Sequence, residues 1–191
     1  MKIGILGGGQ LGRMFIQNAL NYDDEFHVLD PNSDCSCAYI SHFSQGNFNN
    51  YEDVLAFGQD KDVISIEIEH VNVDALFELE KQGKKVIPNA EIIKTIQQKI
   101  LQKEFYKKHN IPSPDFEIFD GTSDEIKIKF PFVQKLNTGG YDGKGVQIIK
   151  NAEDLKNLWT EDSVLENLVD IDKELSIIIA KNENGETKTF P

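Results

Sequence analysis

The chain has 191 residues, of which 39% are hydrophobic, so it is long enough for one large or two small globular domains. Its 32 acidic residues exceed its 20 basic ones, and the net charge of −12 argues against nucleic acid as a partner. No apolar run reaches the roughly 18 to 20 residues of a membrane span, and no signal peptide precedes the first strand pattern. We therefore expect a cytoplasmic protein with neither a membrane nor a nucleic acid as its partner.

A glycine-rich turn follows the first predicted strand. Residues Lys2 to Leu6 form a short apolar run, Gly7 to Gly12 fit G-x-G-x-x-G, and Leu11 to Leu20 have helical spacing. A second predicted strand, Phe26 to Leu29, ends in Asp30, near where a dinucleotide-binding fold places its ribose-binding acid. Three interpretations of the turn stay open: a dinucleotide site, a site for another small ligand, or glycines with a structural role only.

The alternation of helix and strand continues as far as residue 88 and predicts a parallel α/β sheet. We expect helices over residues 51–58 and 73–82 and strands over residues 62–69 and 84–88. Strand alternation puts Glu67 and Glu69 on one face, near the carboxyl end where open α/β sheets bind ligands. Either acid could accept hydrogen bonds from sugar hydroxyls, and a solvated strand face is the alternative. His70 either contacts the same ligand or packs locally.

The two cysteines, Cys35 and Cys37, are separated by one residue, a spacing poorly suited to a structural disulfide. No second pair of cysteines or histidines completes a zinc-binding set with them. We interpret both as reduced thiols without a part in the chemistry.

A change in the predicted secondary structure marks the main domain boundary between residues 88 and 114. A helix rich in lysine and glutamine is predicted over residues 89–110, and Ile111-Pro112-Ser113-Pro114 then breaks the pattern. Beyond it we expect an α+β unit with a helix over residues 152–159 and strands over residues 116–119, 130–134, 146–149, 163–165 and 174–180.

The most distinctive stretch of the second unit is Gly139-Gly140-Tyr141-Asp142-Gly143-Lys144-Gly145, four residues after Lys135. Four glycines in seven positions let the backbone lie close to a ligand, and successive amides of such a loop form an anion-binding concavity. Lys135 and Lys144 supply countercharges, so the loop suits a phosphate chain. A tight β-hairpin with no ligand is the alternative interpretation.

Several motifs occur in order along the chain, namely Gly7-Gly8-Gly9-Gln10-Leu11-Gly12-Arg13-Met14, Glu67 to His70, Lys99 with Gln102-Lys103, Lys135 with the glycine loop, Glu166, and Lys173 to Ser176. Together they resemble the ATP-grasp superfamily, and within it the 5-(carboxyamino)imidazole ribonucleotide synthetases of purine biosynthesis. The resemblance implies a Rossmann-like preATP-grasp domain over residues 1–98 and a partial ATP-grasp domain over residues 99–191. Within the latter it implies a lid at about 115–165 and the start of a second subdomain at about 166–191.

The resemblance also implies an activity. Such a ligase uses ATP to phosphorylate bicarbonate, and the carboxyphosphate carboxylates the exocyclic amine of aminoimidazole ribonucleotide, with release of ADP and phosphate. The family is generally homodimeric and uses Mg2+, whose acidic ligands we expect beyond Pro191. The chain by itself is therefore expected to be an inactive N-terminal portion of such an enzyme.

Site residues follow from the same resemblance, position by position. The implied ATP-binding residues are Lys99, Lys135, Gly139, Gly140, Tyr141, Asp142, Gly143, Lys144, Gly145, Glu166, Asn167, Leu168, Val169 and Glu174. Tyr141, Asp142 and Lys144 are also the implied catalytic residues, with Asp142 handling the amine proton, Lys144 stabilising negative charge and Tyr141 orienting the ribonucleotide. The implied ribonucleotide-binding residues are Gly9, Gln10, Leu11, and Glu67 or Glu69.

Three other functions remain as alternatives. One is a different ATP-grasp carboxylate-amine ligase, which would use another carboxylate in place of bicarbonate. A second is a nucleotide-binding or oligomerisation module without catalysis. The third, an NAD-dependent oxidoreductase, is disfavoured because the second unit carries two phosphate-directed lysines and no evident acid-base pair for hydride chemistry.

Overall fold

The computed structural model describes residues 1–122, 126–140, 144–182 and 184–190 of the chain. Its first unit is built on a parallel sheet of five strands in the order β3-β2-β1-β4-β5. The strands are β1 (Lys2–Leu6), β2 (Glu25–Asp30), β3 (His42–Gln45), β4 (Val63–Ile66) and β5 (Lys85–Ile87). The chain runs outward from β1 to β3 and then returns to the other side of β1. This reversal places a topological switch point beyond the carboxyl ends of β1 and β4, where such sheets bind ligands.

Helices cover both faces of this sheet and close two apolar clusters. They are α1 (Gln10–Ala19), α2 (Tyr51–Gly58), α3 (Val73–Lys81) and α4 (Ala90–Gln97). A fifth helix, α5 (Lys99–Lys108), follows α4 and contacts the second unit. Ile16 of α1 packs with Ile5, Phe26 and Val28 on one face, and α2 and α3 bury a larger cluster on the other. Asparagine side chains cap α2, α3 and α4 by accepting a backbone amide, which explains where these three helices begin.

The second unit is an antiparallel sheet of four strands in the order β6-β9-β7-β8. Its strands are β6 (Phe116–Phe119), β7 (Phe132–Leu136), β8 (Val146–Ile149) and β9 (Ser163–Asn167), with a 3-10 helix at Ala152–Asn157. Phe119, Phe132, Ile149 and Leu165 form its core. A further antiparallel hairpin of exposed residues follows, β10 (Ile178–Lys181) with β11 (Thr187–Phe190). The predicted α/β parallel sheet followed by an α+β unit is confirmed.

The helix predicted over residues 89–110 is wrong as a single element. It is divided between α4 and α5 at Gln98, whose backbone is extended with φ −120° and ψ 112°. The division arises because Asn137 caps the second helix: its carbonyl accepts from the Lys99 amide at 2.9 Å and its side-chain oxygen from the Ile100 amide at 3.0 Å.

Several other boundaries differ from the sequence prediction. The strand predicted over residues 130–134 is β7, which spans Phe132–Leu136. The strand predicted over residues 62–69 ends at Ile66. The helix predicted over residues 152–159 is a 3-10 helix that stops at Asn157, because the Trp159 amide and carbonyl bond to the Gln134 side chain of the neighbouring sheet. The strand predicted over residues 174–180 begins only at Ile178, so Glu174 lies outside it.

Both cysteines are free and buried, in agreement with the sequence prediction. Burial raises the pKa of Cys37 to about 11, so its thiol is protonated at neutral pH. Among the described residues, no helix is long and apolar enough to cross a membrane.

Candidate functional site

The glycine turn of the first unit lies at the switch point and is closed by the chain around it. The Gly7 amide donates to the Leu29 carbonyl at 3.0 Å, and Gly7 has a φ of +96°, which favours glycine. The Gly8 amide donates to the Asp30 carboxylate at 2.7 Å, and that carboxylate also accepts from the Asn32 amide at 2.8 Å. Asp30 therefore fixes the turn, so the predicted ribose-binding acid of a dinucleotide site is already engaged by the backbone.

Glu67 is the acid that lies on this turn. Its amide donates to the Leu6 carbonyl at 2.8 Å, which turns the chain over the end of β1 just after β4 has ended. A Cβ atom on Gly9 would collide with the Glu67 carboxylate, and one on Gly7 would lie 3.0 Å from the same group. The Glu67 carboxylate can therefore occupy this position because neither glycine has a side chain.

Glu69, the other predicted acid, is placed differently. Its side chain is 49% exposed and its carboxylate lies 3.7 Å from the His70 imidazole. Its backbone carbonyl accepts from the Gln97 side chain at 2.6 Å. Of the two acids predicted for the ribonucleotide, the structure brings Glu67 to the glycine turn and leaves Glu69 beside His70.

A cleft of about 250 Å³ opens next to Glu67. The predicted residue Leu11 lines it and has 63% of its surface exposed. Gln10 is exposed at the first position of α1, and Gly9 caps that helix without a side-chain hydrogen bond. The first turn of α1 therefore has backbone amides that no capping side chain binds, an arrangement that suits an anion.

The second unit carries a buried group of three charged side chains. The Glu166 carboxylate is bound by the ammonium groups of both Lys103 and Lys135 and is almost fully buried. Lys103 is 8% exposed and donates to the Ser113 hydroxyl at 2.6 Å, while the Lys135 side chain is 35% exposed. Burial alone would raise the pKa of Glu166, but the hydrogen bonds from the two lysines prevail and hold its pKa below the ordinary value. The group carries a net positive charge, and Lys135 presents it to solvent.

Lys99 joins this region to the glycine loop. Its ammonium donates to the Gly140 carbonyl at 3.4 Å, and the capping of α5 by Asn137 fixes its backbone. Lys99 and Lys103 are four residues apart on α5, so both side chains leave the same face of the helix. The structure thus brings together Lys99, Lys135, Glu166 and Gly140.

Lys103 is a member of this group that the sequence prediction did not include among the site residues. Its signal was present, because a lysine one helical turn after Lys99 must lie on the same side of α5. The buried partner of Lys103 could not be read from spacing, since Glu166 lies on a strand 63 residues further along the chain.

The remaining predicted residues have simpler placements. Gly139 and Gly145 have φ of +75° and +69°, and the Gly145 carbonyl accepts from the Leu136 amide at 2.9 Å. Lys144 and Glu174 are exposed. Asn167 ends β9, and the three predicted positions Tyr141, Asp142 and Gly143 lie outside the described residues. Next to the site, Leu168 and Val169 are 43% and 51% exposed.

A switch-point glycine turn followed by an antiparallel sheet with lysines at a glycine loop defines an ATP-grasp protein. Residues 104–191 match the family model described as the ATP-grasp domain. Residues 1–97, half of the chain, match the model described as the ribonucleotide synthetase preATP-grasp domain. The chain therefore belongs to the ribonucleotide synthetase family of ATP-grasp proteins.

Individual relatives agree with this assignment. The chain is 32% identical over 199 residues to the N5-carboxyaminoimidazole ribonucleotide synthase of Staphylococcus epidermidis, covering 99% of this chain and 52% of that protein. The structure of N5-carboxyaminoimidazole synthetase from Staphylococcus aureus complexed with ADP matches with a TM-score of 0.91 and 32% identity, over 100% of this chain and 53% of that one.

A third relative was solved with both a nucleotide and a ribonucleotide. It is the N5-carboxyaminoimidazole synthase from Aspergillus clavatus in complex with ADP and 5-aminoimidazole ribonucleotide, with a TM-score of 0.86 and 30% identity over 100% of this chain and 52% of that one. The resemblance predicted from the motifs is confirmed. The chain spans about half the length of these relatives.

Proposed function

We propose that the protein containing this chain uses ATP and bicarbonate to carboxylate the exocyclic amine of 5-aminoimidazole ribonucleotide, releasing ADP and phosphate in purine biosynthesis. The observation that carries the proposal is the meeting of Lys99, Lys135 and the buried Glu166 at the glycine loop. The relatives solved with ADP, or with ADP and 5-aminoimidazole ribonucleotide, support the same two ligands for this chain.

The lysine group suits a polyphosphate. Lys99, Lys103 and Lys135 bring three positive charges to one region, and Glu166 neutralises one of them. ATP and bicarbonate are both anions and would repel each other unless cations and backbone dipoles were already in place. We assign Lys99, Lys135 and the loop amides to the phosphates, the backbone of residues 167–169 to the adenine, and Glu174 to the ribose of ATP.

The glycine turn suits the second substrate. The amides at the start of α1 can bind the phosphate of a ribonucleotide, and Glu67 can accept hydrogen bonds from its ribose hydroxyls. We assign Gly9, Gln10 and Leu11 to the same ligand. The glycine loop acts as a lid whose closure excludes water from the carboxyphosphate. Within it, we assign Asp142 to the amine proton, Lys144 to the developing negative charge and Tyr141 to the ribonucleotide.

Magnesium belongs to this chemistry, but the described residues at the loop do not fit a site for it. Glu166, the buried carboxylate there, is already bound by two lysines. Among the described residues, the group of three potential metal ligands that does form is Glu25, His27 and His42, in the other unit. We therefore assign no magnesium ligand to this part of the chain.

The organisation of the whole protein is part of the proposal. We place the boundary between the preATP-grasp and ATP-grasp domains at residues 98 and 99, supported by the extended backbone of Gln98. We also propose that the protein is a cytoplasmic homodimer.

The test is ADP release by the whole protein with ATP, magnesium, bicarbonate and 5-aminoimidazole ribonucleotide, with each omitted in turn. We expect release to require both bicarbonate and the ribonucleotide. Lys135→Ala should lower the rate about 100-fold or more, because a fixed cation at a developing negative charge contributes on this scale. Lys81→Ala is the matched control, since that side chain is 80% exposed on α3.

Other outcomes would contradict the proposal in distinct ways. Turnover with formate in place of bicarbonate would point to a different carboxylate-amine ligase. Nucleotide binding that is lost in Lys135→Ala, without turnover by the whole protein, would point to a binding module. Tight binding of a nicotinamide nucleotide without binding of ATP would restore the oxidoreductase interpretation.

A further inference from the structure

Two of the four histidines of the chain lie side by side on the sheet of the first unit. His27 of β2 is paired in register with His42 of β3, and the two rings stack with centroids 4.8 Å apart at 26°. Glu25 is two residues before His27 on the same strand, so it projects from the same face. One ligand atom from each of these three side chains lies within 4.8 Å of the others.

His27 is the inner member of the group, and one of its ring nitrogens lacks a hydrogen-bond partner among the described residues. The Nε2 atom of His27 is buried and makes no hydrogen bond within the described residues. The carboxylate of Glu25 is its neighbour at 3.6 Å, beyond hydrogen-bond distance. Buried polar atoms nearly always have a partner, and an unpaired one calls for a specific explanation such as an ion. Glu25 and His42 are exposed, so the other two members of the group border solvent.

The charges around the group permit a cation. Lys61 is the positive side chain that acts on His27. Its ammonium is bound by the Asp60 carboxylate and lies 4.9 Å from the Phe57 ring centre. Asp60 also binds the Lys2 ammonium at 3.4 Å, and Lys2 is paired in register with Glu25. The two lysines and the two carboxylates therefore balance, so the surroundings of the imidazoles carry no excess positive charge that would repel a cation.

We propose that Glu25, His27 and His42 bind one divalent ion of the zinc class. Two imidazoles and a carboxylate suit zinc, whereas magnesium and calcium prefer oxygen ligands throughout. Tetrahedral zinc with bonds of about 2.0 to 2.1 Å requires donor atoms about 3.4 Å apart. Rotation of the exposed Glu25 and His42 side chains closes the present separation, and a water molecule completes the four ligands.

The position of the group indicates a structural role. Glu25 lies at the amino end of β2, whereas the glycine turn and Asp30 lie at the carboxyl ends of the strands, about 16 Å away along five residues of strand. β3 is the edge strand, has four residues and pairs with β2. An ion bound by both strands links the edge strand β3 to β2. It stabilises the folded state because it binds the folded chain and not the unfolded one. This inference is independent of the proposed ligase activity.

The test is a calorimetric titration of the 191-residue chain with Zn2+ in chelator-free buffer. The melting temperature of the chain is measured with and without zinc. We expect one ion per chain and a higher melting temperature with zinc. His42→Gln should weaken zinc binding at least tenfold, because even partners that only orient a metal ligand contribute about 10 to 100-fold in affinity. His109→Gln is the matched control, since His109 is exposed at the end of α5. Glu25→Gln is a second variant at an exposed position.

The imidazole nitrogens provide a readout that identifies the ligands directly. In 15N spectra of the histidine rings, zinc should shift the signals of His27 and His42 and leave those of His70 and His109 in place. Equal zinc affinity in the native chain, His42→Gln and Glu25→Gln would overturn the proposal. So would shifts confined to His70 or His109, or the absence of zinc binding by the native chain.

Discussion

The buried group of Lys103, Glu166 and Lys135 makes a quantitative prediction about stability. Glu166→Gln keeps the shape of the side chain and removes the carboxylate that both lysines contact. Removal of one partner from a buried ion pair costs about 3 to 5 kcal/mol, because an uncompensated charge stays buried. Lys103 is 8% exposed and cannot escape, whereas the Lys135 side chain is 35% exposed and can turn toward water. We therefore expect a loss of about 3 kcal/mol in the free energy of unfolding, at the lower end of that range.

The pH dependence of this loss has a defined sign. The pKa of Glu166 is lower in the folded chain than its ordinary value of 4.5, because the hydrogen bonds from Lys103 and Lys135 outweigh the opposing effect of burial. A depressed carboxyl pKa stabilises the fold above the unfolded pKa, and this contribution is lost as the pH falls through the folded pKa. The difference between the native chain and Glu166→Gln should therefore be full at pH 7 and shrink progressively below pH 4.5.

Urea unfolding, monitored by tryptophan fluorescence, measures this difference in the second unit of the chain. Trp159 is the single tryptophan of the chain, and its backbone is bonded to Gln134 in the same sheet as Glu166. Glu161→Gln is the control, because Glu161 is exposed and lies just before β9, the strand that carries Glu166. Equal stability of Glu166→Gln and the native chain at pH 7 would refute the reasoning, as would a difference that does not change between pH 7 and acidic pH.

Two further predictions concern the first unit. Gly9→Ala should displace the Glu67 carboxylate, so it should weaken ribonucleotide binding by the whole protein about tenfold or more while ATP binding is retained. A calorimetric titration with each ligand checks this prediction. Equal losses of affinity for both ligands would contradict it. Burial raises the pKa of Cys37 from 9.0 to about 11, so the protonated thiol stabilises the fold fully below pH 9, and this contribution is lost as the pH rises toward 11. Urea unfolding at pH 8 and pH 10 should show this decline in the native chain and a smaller one in Cys37→Ala, and identical declines would count against it.

The parallel sheet could be predicted from the sequence because its central strands are apolar and separated by helices with regular spacing. β3 was not predicted, since His42–Gln45 is polar, with three of its four residues exposed, and gives no apolar alternation. Its place is determined by pairing with β2 rather than by its own composition. The two central strands β1 and β4 were predicted correctly in position, but β4 is shorter than its alternating pattern suggested.

The candidate site shows the same limit of local information. The sequence pointed to both glycine-rich stretches and to Lys135 because these residue types and spacings are typical of phosphate binding, whereas Lys99 entered through the family resemblance. It could not choose between Glu67 and Glu69, since the choice depends on the chain leaving the sheet after Ile66 to cross the glycine turn. Nor could it predict the division of α4 from α5, which depends on Asn137 far along the chain.

The residue Gln98 joins two differently anchored neighbours. On one side, the Gln97 side chain donates to the carbonyls of Glu69 and Val71, within the first unit. On the other, the Lys99 amide is bound to Asn137, at the end of the strand that leads into the glycine loop. The connection between the two anchors is therefore a single residue with an extended backbone. The φ and ψ angles of Gln98 determine where Lys99 lies relative to Glu69, so the placement of a lysine at the glycine loop depends on the residue that joins the two units.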